Sequence, residues 1–152
     1  MRISTRGRYA LRVMIDLAEH PTDGYLPMKE VAQRQGLSLK YLERILPALV
    51  SGSLIEGMHG KGGGYRLARA PELIRVGEIL RLTEGDLAPV ACLGCGGEKC
   101  PNEANCRTIA MWRGFQAATE AYFDGITLDM LMRTADDGQQ GCQDMRPRTR
   151  RT

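Results

Sequence analysis

Four of the five cysteines lie between Cys92 and Cys106, spaced C-x2-C-x4-C-x5-C through Cys95 and Cys100. Four thiolates this close in the chain can converge on one metal centre. Gly94, Gly96 and Gly97 let the backbone wrap such a centre, and Pro101 stiffens it. Soft thiolates select iron–sulfur clusters, zinc or copper(I) over hard cations. A 2Fe-2S or 4Fe-4S cluster takes cysteine ligands, sometimes with one or more replaced. Zinc takes the same set in a closed tetrahedral site. The spacing matches no standard ferredoxin run, so iron and zinc both stay open, with zinc as the alternative cofactor. The polar, glycine-rich surroundings argue against four unrelated buried thiols. Cys142 stands apart in the C-terminal tail and reads as an incidental thiol. Clustered cysteines in a chain with no apolar leader point to a cytoplasmic protein that binds metal.

Catalysis finds little support. The histidines are His20 and His59, neither near the cysteines in sequence, and no Ser/His/Asp set or carboxylate pair stands out. Cys92-Leu93-Gly94-Cys95 could cycle as a dithiol, but such pairs usually open a helix after a strand, and none is expected there. The expectation is a protein that is not an enzyme.

A second set of residues suits nucleic acid. From Met1 to Arg75 there are 12 Lys/Arg against 7 Asp/Glu; from Val76 to Arg133 there are 5 against 8. A basic first half favours a polyanionic partner, because neutralising phosphates releases counterions. The same excess also fits an ordinary solvated surface, so the decision rests on the elements that carry these charges. No apolar run approaches the ~20 residues needed to span a bilayer, and no membrane partner is expected.

Helical spacing of Ala10, Val13, Met14, Leu17 and Ala18 predicts a helix over Thr5 to His20, broken at Pro21-Thr22-Asp23-Gly24. A short helix starts at Pro27 and stops near Gly36. Ser38 then caps a third helix. Leu42, Ile45, Leu46, Leu49 and Val50 form its inner face, with Lys40, Tyr41, Glu43 and Arg44 outside. Two helices joined by a tight glycine-containing turn make a helix-turn-helix, whose second helix reads the major groove. Pro47 should kink that helix beyond its reading residues. Leu54–His59 and Tyr65–Ala68 read as two strands around the tip Gly60-Lys61-Gly62-Gly63-Gly64. A hairpin there is the wing of a winged helix: its glycines allow close approach to DNA, and Lys61 adds a charge. A nucleotide-phosphate loop is the rival reading, but the Lys-Ser/Thr ending is absent and no helix follows.

Beyond the wing, Pro71–Leu73 form a turn, and Val76, Ile79 and Leu80 a short helix. Thr83–Ala104 is a long loop with little periodicity. Met111, Phe115, Ala118 and Tyr122 then recur on a helix ending at Gly125, and Thr127 caps a last helix around Leu128 and Leu131. The long helix is too apolar for local packing and is expected to dimerise; folding back on its own core is the alternative. The fold class is mainly α with a small β-hairpin: a winged helix-turn-helix plus a long C-terminal dimerisation helix. The expected organisation is a DNA-binding unit over residues 1–82 and a cysteine loop over 83–106. The dimerisation and closing helices follow over 107–133, then a polar, arginine-rich tail over 134–152.

Together, Met-Arg-Ile-Ser-Thr-Arg-Gly-Arg-Tyr-Ala at the start, Leu37–Glu43, the wing Gly60–Tyr65, Val76-Gly77-Glu78-Ile79 and Ile126-Thr127-Leu128 resemble the IscR-like family of bacterial winged-helix transcription regulators, the iron–sulfur cluster regulator type. The resemblance covers about Met1 to Leu131. It implies a homodimeric repressor or activator that binds double-stranded promoter DNA at a pseudo-palindromic site, with a cluster in the loop that modulates binding. Family cysteine positions match Cys92, Cys100 and Cys106. The family's DNA-facing positions match Arg2, Ser38, Lys40, Tyr41, Glu43 and the wing. Two departures stand out. Ile109 occupies the place of a ligating histidine, so Cys95, or a residue of a partner subunit, becomes the candidate fourth ligand. His59 replaces an arginine of the wing, which alters the expected minor-groove contact. With Lys40 and Arg44 on phosphate or guanine, Tyr41 on backbone or a thymine methyl, and Glu43 accepting from cytosine, the third helix would read the major groove.

Overall fold

The computed structural model describes residues 3–94 and 100–134. Eight elements follow in order: α1 (Thr5–Glu19), α2 (Met28–Gln35), α3 (Leu39–Ser51), β1 (Ile55–Met58), β2 (Gly64–Leu67), α4 (Val76–Glu84), α5 (Ile109–Gly125) and α6 (Leu128–Thr134). Single 3₁₀ turns lie at Pro71–Leu73, Ala91–Leu93 and Glu103–Asn105. This is the mainly helical winged-helix architecture expected from the sequence.

Ser4 starts α1: its hydroxyl oxygen accepts from the N–H groups of Arg6 and Gly7 at 3.1 and 3.3 Å. Ala10, Val13, Met14 and Leu17 are buried on its inner face, as their spacing requires. Asp16 is buried beside them, and periodicity gave no warning of it. Arg34 of α2 donates to Asp16 through both Nε and Nη2, the latter at 2.5 Å from Oδ1. The Gln35 side chain donates to Oδ2 at 2.8 Å. Burial alone would raise the Asp16 carboxyl. The hydrogen bonds from Arg34 and Gln35 and the nearby positive charge outweigh it and hold the group below its ordinary value.

Pro27 stands just ahead of α2 in extended backbone, one residue earlier than the sequence suggested. Gly36 ends that helix in the left-handed region, φ +63°, where its N–H reaches back to the carbonyls of Ala32 and Gln33. Ser38 then caps α3, its hydroxyl oxygen accepting from the Tyr41 N–H at 3.2 Å. Helix α3 continues through Pro47, the proline expected to kink it, and ends at Ser51. Leu42, Ile45 and Leu46 before the proline, and Leu49 after it, are all buried in one core, so packing holds the two halves together despite the lost hydrogen bond.

Strands β1 and β2 pair antiparallel in the register Ile55↔Leu67 to Met58↔Gly64. Leu26 adds a bridge to Tyr65, each backbone N–H donating to the other's carbonyl at 2.9 Å. Gly64 makes that approach possible, since a Cβ there would sit 2.3 Å from the Leu26 carbonyl oxygen.

Helix α4 runs on to Glu84, past the expected boundary at residue 82. The chain leaves the core, forms α5, and returns. Residues 74–76 and 126–128 meet as antiparallel extended backbone, with Val76 N–H donating to Ile126 and Leu128 N–H to Ile74. Thr127 caps α6 by accepting from Met130 N–H at 3.3 Å. Helix α6 packs on α1 and on the Pro71–Leu73 turn, and Leu128 is fully buried in the winged-helix core. Helix α5 has no fully buried side chain, and Phe123 near its end is partly buried against Val76, Leu80 and Leu87. Its C-terminal end rests on α4, where Arg81 pairs with Asp124 at 2.6 Å above Gly77.

Removing the Asp16 carboxylate strands Arg34 and unties α1 from α2. Asp16→Ala should lower unfolding free energy by about 3 kcal/mol at pH 7, read by urea denaturation. A carboxyl with a depressed folded-state pKa contributes stability above its unfolded value and loses it as pH falls through the folded one. The gap between wild type and variant should therefore hold near neutrality and narrow only below about pH 4. A gap independent of pH down to full protonation would refute the assignment.

Candidate functional site

The structure brings one group of the expected DNA residues together at the start of α3. Lys40, Glu43 and Arg44 are exposed there. Tyr41 is half-buried, its ring meeting Tyr9 of α1 edge-on at 5.4 Å. That contact ties the start of α3 to α1, giving Tyr41 a packing role beside any contact with DNA. Ser38 uses its oxygen as the cap acceptor, which leaves its hydroxyl proton free to donate outward.

Arg6 joins this surface and was missed in the sequence. It lines a shallow cleft with Tyr41, Arg44 and Ile45, between the first turn of α1 and the outer face of α3. The signal that could have found it is its place on the polar side of the first turn, opposite Ala10, Val13 and Met14. Arg2 lies outside the described residues.

Several arginines elsewhere are neutralised locally, whereas the cations of this surface are not. Arg34, Arg66, Arg69, Arg81, Arg113 and Arg133 each hold a carboxylate partner. Arg6, Lys40, Arg44 and Lys61 have no ion-pair partner among the described residues. Unneutralised cations beside a capped helix N-terminus raise the local positive potential, which is the arrangement that attracts phosphate. At the wing, Gly60 and Gly62 take φ +96° and +78°, so the tip tolerates no ordinary side chain at either position without strain. Lys61 is exposed between them. His59 is exposed too, and lines a cleft with Pro47, Val50, Ser51, Gly57 and Tyr65 that runs between the end of α3 and the hairpin.

The cysteines form a second region. Cys92 is exposed in the Ala91–Leu93 turn; Cys100 and Cys106 are half-buried, and all three are free thiols. Cys95 lies outside the described residues, as do Cys142 and the tail beyond Thr134. Cys106 sits just before α5, its Sγ 3.4 Å from the Thr108 hydroxyl. Hydrogen bonds from that hydroxyl and from the Thr108 and Ile109 N–H groups lower its pKa against opposing burial and the Glu103 charge. A thiol so placed is biased toward thiolate, the form that ligates metal. Cys100 lines an open cleft with Pro101, Glu103, Ala104, Ile109 and Arg113, and Glu103 pairs with Arg113 at 2.6 Å. Ile109, at the place of the histidine implied by resemblance, faces the same cleft as Cys100. Among the described residues no three His, Cys, Asp or Glu side chains already converge on a metal-sized site. The donor set nevertheless suits a soft metal centre: several thiols in one segment, one of them primed for deprotonation. Among the described residues no helix is long and apolar enough to cross a membrane.

Comparison with known proteins agrees with this geometry. Residues 3–134 match the Rrf2 family, described as an iron-dependent transcriptional regulator. The chain is 35% identical over 132 residues to the HTH-type transcriptional regulator IscR of Aliivibrio salmonicida, covering 87% of this chain and 77% of that one. It is 34% identical over 154 residues to IscR of Escherichia coli strain K12 / DH10B, covering 99% and 93%. Among solved structures, CymR, the global cysteine regulator of B. subtilis, superposes with a TM-score of 0.72 at 33% identity, covering 88% of this chain and 98% of that one. The IscR of T. potens gives 0.68 at 32%, covering 93% of each chain.

Proposed function

The chain belongs to the Rrf2 family of transcriptional regulators, and from that premise we propose a DNA-binding regulator whose promoter affinity is modulated by an iron–sulfur cluster on its cysteine loop. The observation that carries the DNA half is the cluster of unpaired cations, Arg6, Lys40 and Arg44, around the Ser38-capped start of α3. Helix α3 enters the major groove, with Lys40 and Arg44 on phosphate or guanine and Glu43 accepting from cytosine N4. Arg6 reaches the backbone beside the groove, and the wing brings Lys61 and His59 to the neighbouring minor groove. Promoter DNA as the partner places the protein in the cytoplasm.

Helix α5 supplies the second half of the reader. Met111, Phe115 and Tyr122 are exposed along a helix with no fully buried residue in its own chain, whose packing is confined to its C-terminal end on α4. A second copy laid on this face would cover them and create a two-fold dimer, the symmetry that reads a pseudo-palindrome.

Cys92, Cys95, Cys100 and Cys106 would hold the cluster. Bound, the cluster would supply a labile, redox-active cross-link between thiolates. The Thr108 hydroxyl and the Thr108 and Ile109 N–H groups lower the Cys106 pKa and so favour its thiolate. Ile109 and the Glu103–Arg113 pair line the cleft beside Cys100. A set of cysteines alone also removes the pH sensitivity that a histidine ligand would bring.

Three outcomes are expected. Lys40→Ala should weaken operator binding and reduce the slope of log affinity against log salt by about 1, measured by fluorescence anisotropy; an unchanged slope would mean α3 does not face the phosphates. Phe115→Asp should convert the dimer to monomer by analytical ultracentrifugation; a dimer of undiminished stability would move the interface elsewhere. Anaerobically purified protein should carry iron and acid-labile sulfide, lost in Cys100→Ala and Cys106→Ala. Stoichiometric zinc in a colourless sample would instead establish a zinc-stabilised DNA-binding protein without redox sensing.

A further inference from the structure

We propose that Glu84 is a positioning residue that joins the start of the cysteine loop to the first turn of α1, and through that turn to Arg6 on the DNA-facing surface. This inference rests on the reading of the loop as the sensing element.

Glu84 is the last residue of α4, and Gly85, at φ +87°, turns the chain into the loop. The carboxylate does not face back along its own helix. Oε1 accepts from the Ser4 hydroxyl at 2.7 Å and Oε2 accepts from the Ser4 N–H at 3.3 Å, across 80 residues of sequence. Ser4 is also the cap of α1, its oxygen accepting from the N–H groups of Arg6 and Gly7. One hydroxyl therefore donates to the end of α4 and accepts from the beginning of α1. Gly7 makes the contact possible, because a Cβ there would lie 2.3 Å from Glu84 Oε1. A carboxylate at this end of α1 is also favoured by the helix dipole.

A small apolar cluster runs parallel to this polar contact. Leu87, in the loop, is buried with Val76 and Leu80 of α4, and Ile3, just ahead of α1, packs on the same cluster with Leu11 and Phe123. The end of α4 and the start of the loop thus hold the start of α1 at two points, Glu84 on Ser4 and Leu87 in the cluster on which Ile3 packs. Cys92 follows Leu87 by only five residues. A change in the cysteine segment is felt at Leu87 and Glu84 first, and a shift of Glu84 turns the cap that holds Arg6. No contact between the cysteines and α3 is needed.

The test compares operator affinity of metal-free and anaerobically loaded protein, with iron and sulfide content measured on each sample. In wild type the two forms should differ by at least about fivefold. Glu84→Ala should bring that ratio to within about twofold of unity with iron content unchanged, because coupling is lost while ligands are not. Amide exchange in the first turn of α1 should quicken by roughly fivefold, the loss of about one hydrogen bond. Ser4→Asp is the second variant: it keeps a good cap but sets a like charge against Glu84, and should lose the ratio too. Combining it with Glu84→Gln restores a donor–acceptor pair and should recover the ratio. A Glu84→Ala protein that keeps the wild-type ratio overturns the relay and leaves the regulator reading intact. Iron-loaded wild type that binds as the metal-free form does overturns the sensing role of the loop, and the relay with it.

Discussion

A carboxylate buried in an apolar helix face has to be neutralised and hydrogen-bonded, or the helix does not pack. In this chain the hydrogen bonds to the Asp16 carboxylate all come from one neighbouring helix. Arg34 and Gln35 occupy the last turn of α2, and Arg12 of α1 adds a bond to the Gln35 side chain. An apolar contact would accept α2 over a range of rotations; a forked guanidinium on a buried acceptor accepts one. The Gly36 turn and the Ser38 cap follow within a few residues, so the direction in which α3 leaves is set by what Asp16 demands of α2. The surface that carries Lys40 and Arg44 is thereby oriented by a buried residue of another helix.

The remaining cations follow a division of labour. Those on the flanks are spent on carboxylates: Arg66 on Glu56 across the wing, Arg69 on Glu78, Arg81 on Asp124. Most such exposed pairs contribute little stability, but they remove positive charge from surfaces where it would attract DNA without purpose. Lys40 and Arg44 on α3, Arg6 in the first turn of α1 and Lys61 at the wing tip keep their charge free of any ion pair among the described residues, as do a few cations elsewhere such as Lys29 and Arg107. Net charge obscured this, because a modest excess of Lys/Arg in the first half says nothing about which cations are neutralised locally.

Much of the fold was legible because it depends on short-range pattern. The periods of Ala10–Leu17 and Leu42–Leu49, the caps at Ser38 and Thr127 and the glycines of the wing all act within a turn or two of themselves. What escaped was set by groups far apart in the chain. Asp16 looks like a surface residue until Arg34 arrives. Ser4 and Glu84 carry no mark of each other. Pro47 weakens α3 locally, and the buried residues on both sides of it let the helix continue to Ser51. At the candidate site, residue type announced the thiols and the cations of α3. Arg6 needed the packing of α1 on α3 to be seen, and the gathering of the cysteines is a property of a loop whose pattern carries no period.

The return of the chain at Thr127 has a consequence for how the molecule is made. Leu128 is buried among residues that begin at Ala10, and residues 126–128 complete a backbone pairing with 74–76. During synthesis, which proceeds from the N-terminus, the reading head therefore lacks a piece of its interior until α5 has left the ribosome. The cysteine segment emerges before the head can close. Exposure of the thiols and completion of the fold are thus ordered in time by the position of one leucine, and a nascent chain presents its cysteines before its core is complete.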